Sequence, residues 1–242
     1  MRASSTKRAY LQGLKDGLPF LLVVSPFAAL FGIVATEAGL DVVETMAFSI
    51  VVIAGAAQFT ALQLLLEEAP TIIVLASALA VNLRMAMYSA SLTPHLGPAP
   101  LWKRAFVAYF LVDQTYAMSV ARFEREPGLG LSEKLAYFFG VVTPICPMWY
   151  VMTLVGAVAG SGLPEGLALD FAVPITFLAM IAPMLRTLAH VAAAGVSVAL
   201  ALAFAFLPYS LGLMVAGLGG MVTGAQVEVW LARRAADEEG AA

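Results

Sequence analysis

The chain has 242 residues, 61% hydrophobic and 12% charged, with a net charge of -3 and a mean hydropathy of +0.90. A soluble domain is roughly half apolar and a quarter charged, so a water-surrounded core is excluded for most of this sequence. Its 13 Lys and Arg are scattered rather than gathered on one basic face, which speaks against a nucleic-acid partner, and its single Cys146 excludes an internal disulfide or a multi-cysteine metal site.

The first segment, residues 1–16, is polar and basic through Arg2, Lys7, Arg8 and Lys15. The apolar run behind it is too long for a signal-peptide core and reads as a retained first membrane helix. A spanning helix needs about 20 mostly apolar residues. On that measure about eight candidate spans follow, at roughly 17–37, 45–66, 71–92, 105–121, 135–159, 171–189, 191–207 and 209–231. Only Leu207-Pro208-Tyr209 separates the last two, so seven spans with one broken helix is the alternative. The predicted fold is an all-α integral membrane protein, with one membrane domain over 17–231 and a short tail over 232–242.

Cytoplasmic loops of membrane proteins carry excess Lys and Arg. With eight spans the N-terminus, the 122–134 loop (Arg122, Arg125, Lys134) and the tail (Arg233, Arg234) share the cytoplasmic side of the cell membrane. Lys103 and Arg104 are the exception, since this count puts them outside. A faint internal echo is also present: Ser25-Pro26 and Cys146-Pro147 are each followed at one spacing by a glycine, Gly39 and Gly160. Proline removes a backbone donor, and helices broken at matching places in two halves point to a transporter site. Pro26 and Pro147 are therefore the expected helix breaks.

Ionisable groups at bilayer depth are costly unless paired or hydrated, which makes each a functional candidate. Arg84 and Tyr88 in the third span are four apart and share a face, Ser91 continues it, and Asn82 lies to one side. Asp113 heads Asp113-Gln114-Thr115-Tyr116 in the fourth span. Arg84 and Asp113 each lie about eight residues, or about 12 Å, from the outer end of their spans. If neighbouring spans run antiparallel, the two sit at matching depth and can pair, either to fix helix register or to face a substrate. Gln58 follows the small residues Ala54-Gly55-Ala56-Ala57 in the second span and suits a polar ligand group or a neighbouring helix. Arg186 reads as a snorkelling residue near a span end. His95 and His190 have no second ligand at metal-site spacing.

Three segments together resemble the AzlC family of branched-chain amino acid exporters. They are Ala54 to Phe59, Val81-Asn82-Leu83-Arg84 through Leu92, and Asp113-Gln114-Thr115-Tyr116-Ala117, with Gly17-Leu18-Pro19-Phe20 and Phe31-Gly32 in support. Where the family pattern places His after the Arg this chain has Met85, and where it places an acidic residue after the Asp this chain has Gln114. The resemblance implies the large subunit of a two-component exporter, with a small membrane partner of the AzlD family, amino acid substrates, a proton gradient as driving force and no cofactor. On that reading Gln58, Asn82, Arg84, Tyr88, Asp113 and Thr115 form the substrate site. Arg84 takes the carboxylate, Asp113 takes the ammonium with help from Gln58 or Asn82, and Asp113 is the candidate for a coupling proton. The motifs of hydrolases and metallopeptidases are missing from the sequence, so an enzyme is not expected; a channel or a purely structural membrane subunit is the alternative.

Overall fold

The computed structural model describes residues 2–161, 185, 187–207 and 211–240. They form ten α-helices and a short 3-10 turn, and contain no strand. The expectations for the span at 171–189, including Arg186, fall outside the described residues, apart from 185 and 187–189. Four helical stretches among the described residues are long and apolar enough to cross a membrane: Ser5–Glu37, Thr71–Leu96, Leu131–Gly160 and Leu211–Arg234. The chain divides into two compact units, Met1–Gln63 with Ala78–Leu169, and Leu64–Ser77 with Asp170–Ala242.

In the first unit α1 (Arg2–Gly17), a 3-10 turn (Leu18–Phe20) and α2 (Leu21–Glu37) follow one another with no loop between them. They pack along the 30-residue α8 (Leu131–Gly160). Glycines line this seam: Gly140 lies against Tyr10 and Leu14, Gly17 against Val141, Gly156 against Ala29, and Gly160 against Ile33 and Thr36. Residue numbers rise together on both sides, so the two helical rods run parallel. A side chain at Gly32, Gly140 or Gly156 would collide with the backbone of the opposite rod. The close approach is therefore written into the sequence as small residues, as is usual where helices pack in lipid.

Pro26 and Pro147 do not break these helices: α2 and α8 run straight through them. Each proline deletes one donor, and in a long apolar helix the remaining ladder and the packed neighbour hold the backbone in register. The interruptions fall elsewhere. Gly39, at φ +93°, stops α2, and Asp41 starts α3 (Val42–Val51) by accepting the Glu44 N–H at 2.7 Å while Glu44 accepts the Asp41 N–H at 2.9 Å. The β-branched run Ile50-Val51-Val52-Ile53 then ends α3, residues 52–54 are not helical, and α4 (Gly55–Leu66) begins at a glycine.

The chain turns back at this break. A straight run would place residues 48 and 59 about 16 Å apart along the axis. Yet the rings of Phe48 and Phe59 lie 5.8 and 5.4 Å from the one ring of Phe31. Gly55 sits beneath Phe27 and Trp149, and Phe59 reaches from Phe27 to Phe31, so α4 climbs in the same sense as α2. The segment predicted to cross at 45–66 folds back as a hairpin of two short helices, the path of a re-entrant segment.

The segment predicted at 105–121 behaves likewise. It divides into α6 (Leu101–Tyr109) and α7 (Asp113–Arg125). Along α5 (Thr71–Leu96) and α7 the contacts again rise together: Arg84 with Asp113, Tyr88 with Tyr116, Ser91 with Tyr116, His95 with Phe123. The expected antiparallel arrangement is therefore corrected to a parallel one. Since α5 and α7 end together, and residues 97–100 alone separate α5 from α6, α6 enters from the end at which α7 leaves. Apolar length cannot tell a crossing from a pair of half-length helices that return, which is why a count of eight or seven spans misreads both segments. Lys103 and Arg104 now share one end with Arg122, Arg125 and Lys134, while Glu37, Asp41 and Glu44 lie at the other.

In the second unit α9 (Leu188–Ala203) and α10 (Leu211–Gly240) form an antiparallel pair, with Gly212 on Phe204, Gly220 on Ser197 and Gly224 on Ala193. Ser197 Oγ donates to Ala216 O at 3.1 Å across it. Two helices, not one broken helix, occupy this region.

The glycine seam gives a direct test. Gly156→Leu forces a side chain into the Ala29 backbone, an overpacking worth about 1–3 kcal/mol or more. At this chain length we expect the melting temperature in detergent to fall by about 5 °C or more. Gly128→Ala, where an added Cβ would meet nothing within 4 Å, serves as the control. Equal melting of the two variants would contradict the seam.

Candidate functional site

The two hairpin tips are joined. Tyr109, the last residue of α6, donates its hydroxyl to Ile50 O at the end of α3 at 2.6 Å, and its oxygen lies 2.9 Å from the hydroxyl of Tyr150 on α8. A carbonyl released by the first break is thus satisfied by the residue that precedes the second. Beside it, Trp149 Nε1 donates to Ser49 Oγ at 2.7 Å, and Ser49 lies 3.2 Å from Thr153 Oγ1, with all three residues buried.

The second tip is shaped by Thr115, whose side chain is fully buried. Its hydroxyl oxygen accepts the Val112 N–H at 2.9 Å and lies within donating distance of Phe110 O and Val112 O at 3.0 and 2.9 Å. This hydroxyl is engaged within the bend and holds the break between α6 and α7.

Asp113 is the first residue of α7 and meets its predicted partner Arg84 and, in addition, Tyr88. Arg84 Nη1 lies 3.1 Å from Oδ2, and the Tyr88 hydroxyl donates to Oδ1 at 3.0 Å. The Tyr88 ring stacks on Tyr116 at 4.1 Å and 9°, and the Tyr116 hydroxyl donates to Ser91 Oγ at 3.1 Å. The side chains of Arg84 and Asp113 remain 33% and 41% exposed, so the pair is reachable rather than sealed. The helix N-terminus under Asp113 adds its own attraction for negative charge.

Several buried polar atoms near these elements have no hydrogen-bond partner among the described residues: Gln58 Oε1 and Nε2, Asn82 Oδ1, Arg84 Nε, Thr45 Oγ1 and Ser119 Oγ. A buried polar group left unpaired costs about 1–3 kcal/mol, so such a set is uncommon outside sites that meet a ligand or water. The structure therefore gathers Arg84, Tyr88 and Asp113 into one cluster, gives Asn82 a place on the same helix, and sets Gln58 at the start of α4 in the other hairpin. Sequence reasoning missed Tyr109 and Tyr150, which carry no signal until the hairpins are known. It passed over Tyr116, whose i+3 spacing from Asp113 marks the same face. Among the described residues no group of three metal-ligating side chains gathers.

The ion pair predicts measurable coupling. In a cycle of Arg84→Gln, Asp113→Asn and the double variant, thermal unfolding in detergent should give a coupling of about 1–3 kcal/mol, with the double variant less destabilised than the singles sum to. Strict additivity would dissolve the pair.

Comparison with known proteins agrees with the sequence resemblance. The AzlC protein family matches residues 19–163. The inner membrane protein YgaZ of Escherichia coli is 29% identical over 178 residues, covering 71% of each chain. An uncharacterized membrane protein of Archaeoglobus fulgidus is 30% identical over 225 residues, covering 91% of this chain and 96% of that one, and one of Helicobacter pylori is 29% identical over 156 residues, 63% and 66% of the two chains. No solved structure matches. The matched stretch runs from the 3-10 turn before α2 to the end of α8 and so holds both hairpins and the Arg84–Asp113 pair, and the chain belongs to the AzlC family of membrane proteins.

Proposed function

We propose that this chain is the transport subunit of a secondary exporter for branched-chain and similar small aliphatic amino acids, working with a small AzlD-like membrane subunit and driven by the proton gradient. The observation that carries the reading is the Arg84–Asp113 pair at the start of an interrupted helix. Broken helices that meet within the membrane are a recurrent form of transporter site.

An amino acid zwitterion carries the same two charges as this pair. Its carboxylate competes for Arg84, which has an unpartnered Nε besides the Nη1 that holds Asp113. Its ammonium competes for Asp113, with the unpartnered Asn82 Oδ1, two residues before Arg84 on α5, as the further acceptor this reading assigns. Loading exchanges one internal ion pair for two external ones, so charge stays balanced throughout. Emptying re-forms the internal pair and protects both charges from oil. A proton on Asp113 would weaken its hold on both Arg84 and the ammonium, which is the simplest route by which a gradient biases release. The end carrying Lys103, Arg104, Arg122, Arg125 and Lys134 is the cytoplasmic one on this reading, with the N-terminus on the same side, because retained basic residues favour that face.

Cells expressing this chain with its small partner, fed dipeptides containing leucine, isoleucine or valine, should accumulate less of the free amino acid than cells lacking it. Arg84→Ala should abolish the difference, and export should saturate with internal substrate. Unchanged accumulation with properly inserted protein would refute the amino acid reading, and linear, non-saturating flux would replace the carrier with a channel.

A further inference from the structure

The first turn of α4 is a site that the ion pair does not use. The first α-helical bond here runs from the Gln58 N–H to Ala54 O, at 3.0 Å. The N–H groups of Gly55, Ala56 and Ala57 therefore lie ahead of the ladder, as the first donors of any helix do. Gln58 itself is fully buried, and neither end of its amide meets a partner among the described residues. Side chains on a helix lean back toward its N-terminus, a direction that takes the Gln58 amide toward the turn that holds those donors. Gly55 lies beneath Phe27 and Trp149, where a Cβ would come within 2.5 and 2.8 Å of the two rings. The aromatic cover lowers the local dielectric, which strengthens the interaction of backbone dipoles with a charge.

We infer that this turn is a carboxylate-binding subsite, in which the N–H groups of Gly55, Ala56 and Ala57 and the Gln58 side-chain NH2 hold the anionic group of an aliphatic carboxylate. A helix N-terminus carries partial positive charge, attracts anions and repels cations. Gln58 is thereby moved from the ammonium side, where sequence reasoning had it, to the carboxylate side. The unpartnered, buried amide is the second observation beside the helix end, and its NH2 supplies a donor that an apolar residue of the same size would lack. A substrate carboxylate then has two stations, a charged one at Arg84 and a neutral dipolar one at the first hairpin tip. The inference deepens the transport reading but is tested by binding alone.

The test uses the purified full-length chain, titrated with 4-methylpentanoate, which has the carboxylate and aliphatic chain without an ammonium, and with 3-methylbutylamine, which has the reverse. An Arg84→Gln background removes the charged station. Carboxylate binding should persist there and weaken about tenfold or more in Gln58→Met, a near-isosteric change that keeps the packing. Gln58→Glu, which adds a repelling charge, should abolish it, while amine binding is unaffected by Gln58→Met. Carboxylate affinity indifferent to Gln58→Met in protein of parental melting temperature would overturn the subsite, as would no carboxylate binding in the parent chain. Gln58-dependent carboxylate binding in a chain that exports no amino acid would sink the transport reading and leave this one standing; amino acid export with carboxylate binding blind to Gln58 would do the reverse.

Discussion

A carbonyl set free in the middle of a bilayer has no water to turn to, and the bond from the Tyr109 hydroxyl to Ile50 O answers that need at 2.6 Å. Non-helical backbone survives at such depth only where protein encloses it or a polar cavity meets it. Both breaks, at 52–54 and 110–112, obey this rule through their neighbours. The first is closed by a residue of the second, and the second by its own Thr115. The first tip therefore depends on the second, and the two breaks leave helix starts at Gly55 and Asp113.

The parallel rods α1–α2 and α8 are the post against which these tips are held. Their glycines bring the backbones close enough that the rods share one surface, from which Phe27, Phe31, Trp149, Tyr150 and Thr153 reach the hairpins. Close packing lies on one side, and short, interrupted helices lie on the other. A long helix resists bending, whereas a half-helix needs only its tip contacts rearranged to move. The Arg84–Asp113 pair lies on the side of the interrupted helices, where α7 is tied to the long α5 by charge and by the stacked Tyr88 and Tyr116.

Much of this was legible in the sequence, and the misses share one physical cause. Composition alone dictates helices in a membrane, and the cost of buried charge singled out Arg84 and Asp113 and their pairing. Hydropathy measures apolar length but not direction. The segments at 45–66 and 105–121 read as crossings because a hairpin of two half-helices has much the same hydropathy as one whole helix. Lys103 and Arg104 were the available clue, since they violated the charge rule under a crossing path and obey it under a returning one. Proline drew attention to 26 and 147, where a single missing donor is absorbed, while the breaks formed where β-branched residues run into Gly55 and where Thr115 rivals the ladder for backbone partners. Gln58 was singled out by its chemistry, but its place in the first turn of α4 is one that no spacing reveals.

The re-entrant path is the claim on which the rest stands, and the sidedness of two loops tests it most directly. In a Cys146→Ser background, single cysteines at Pro98→Cys and Gly128→Cys, both exposed positions flanking the α6–α7 hairpin, are labelled with a membrane-impermeant maleimide in right-side-out and inverted vesicles. The re-entrant account predicts that both react from the same side, the side that carries the N-terminus. Labelling of the two from opposite sides would mean that residues 101–125 cross the membrane, and would contradict the account.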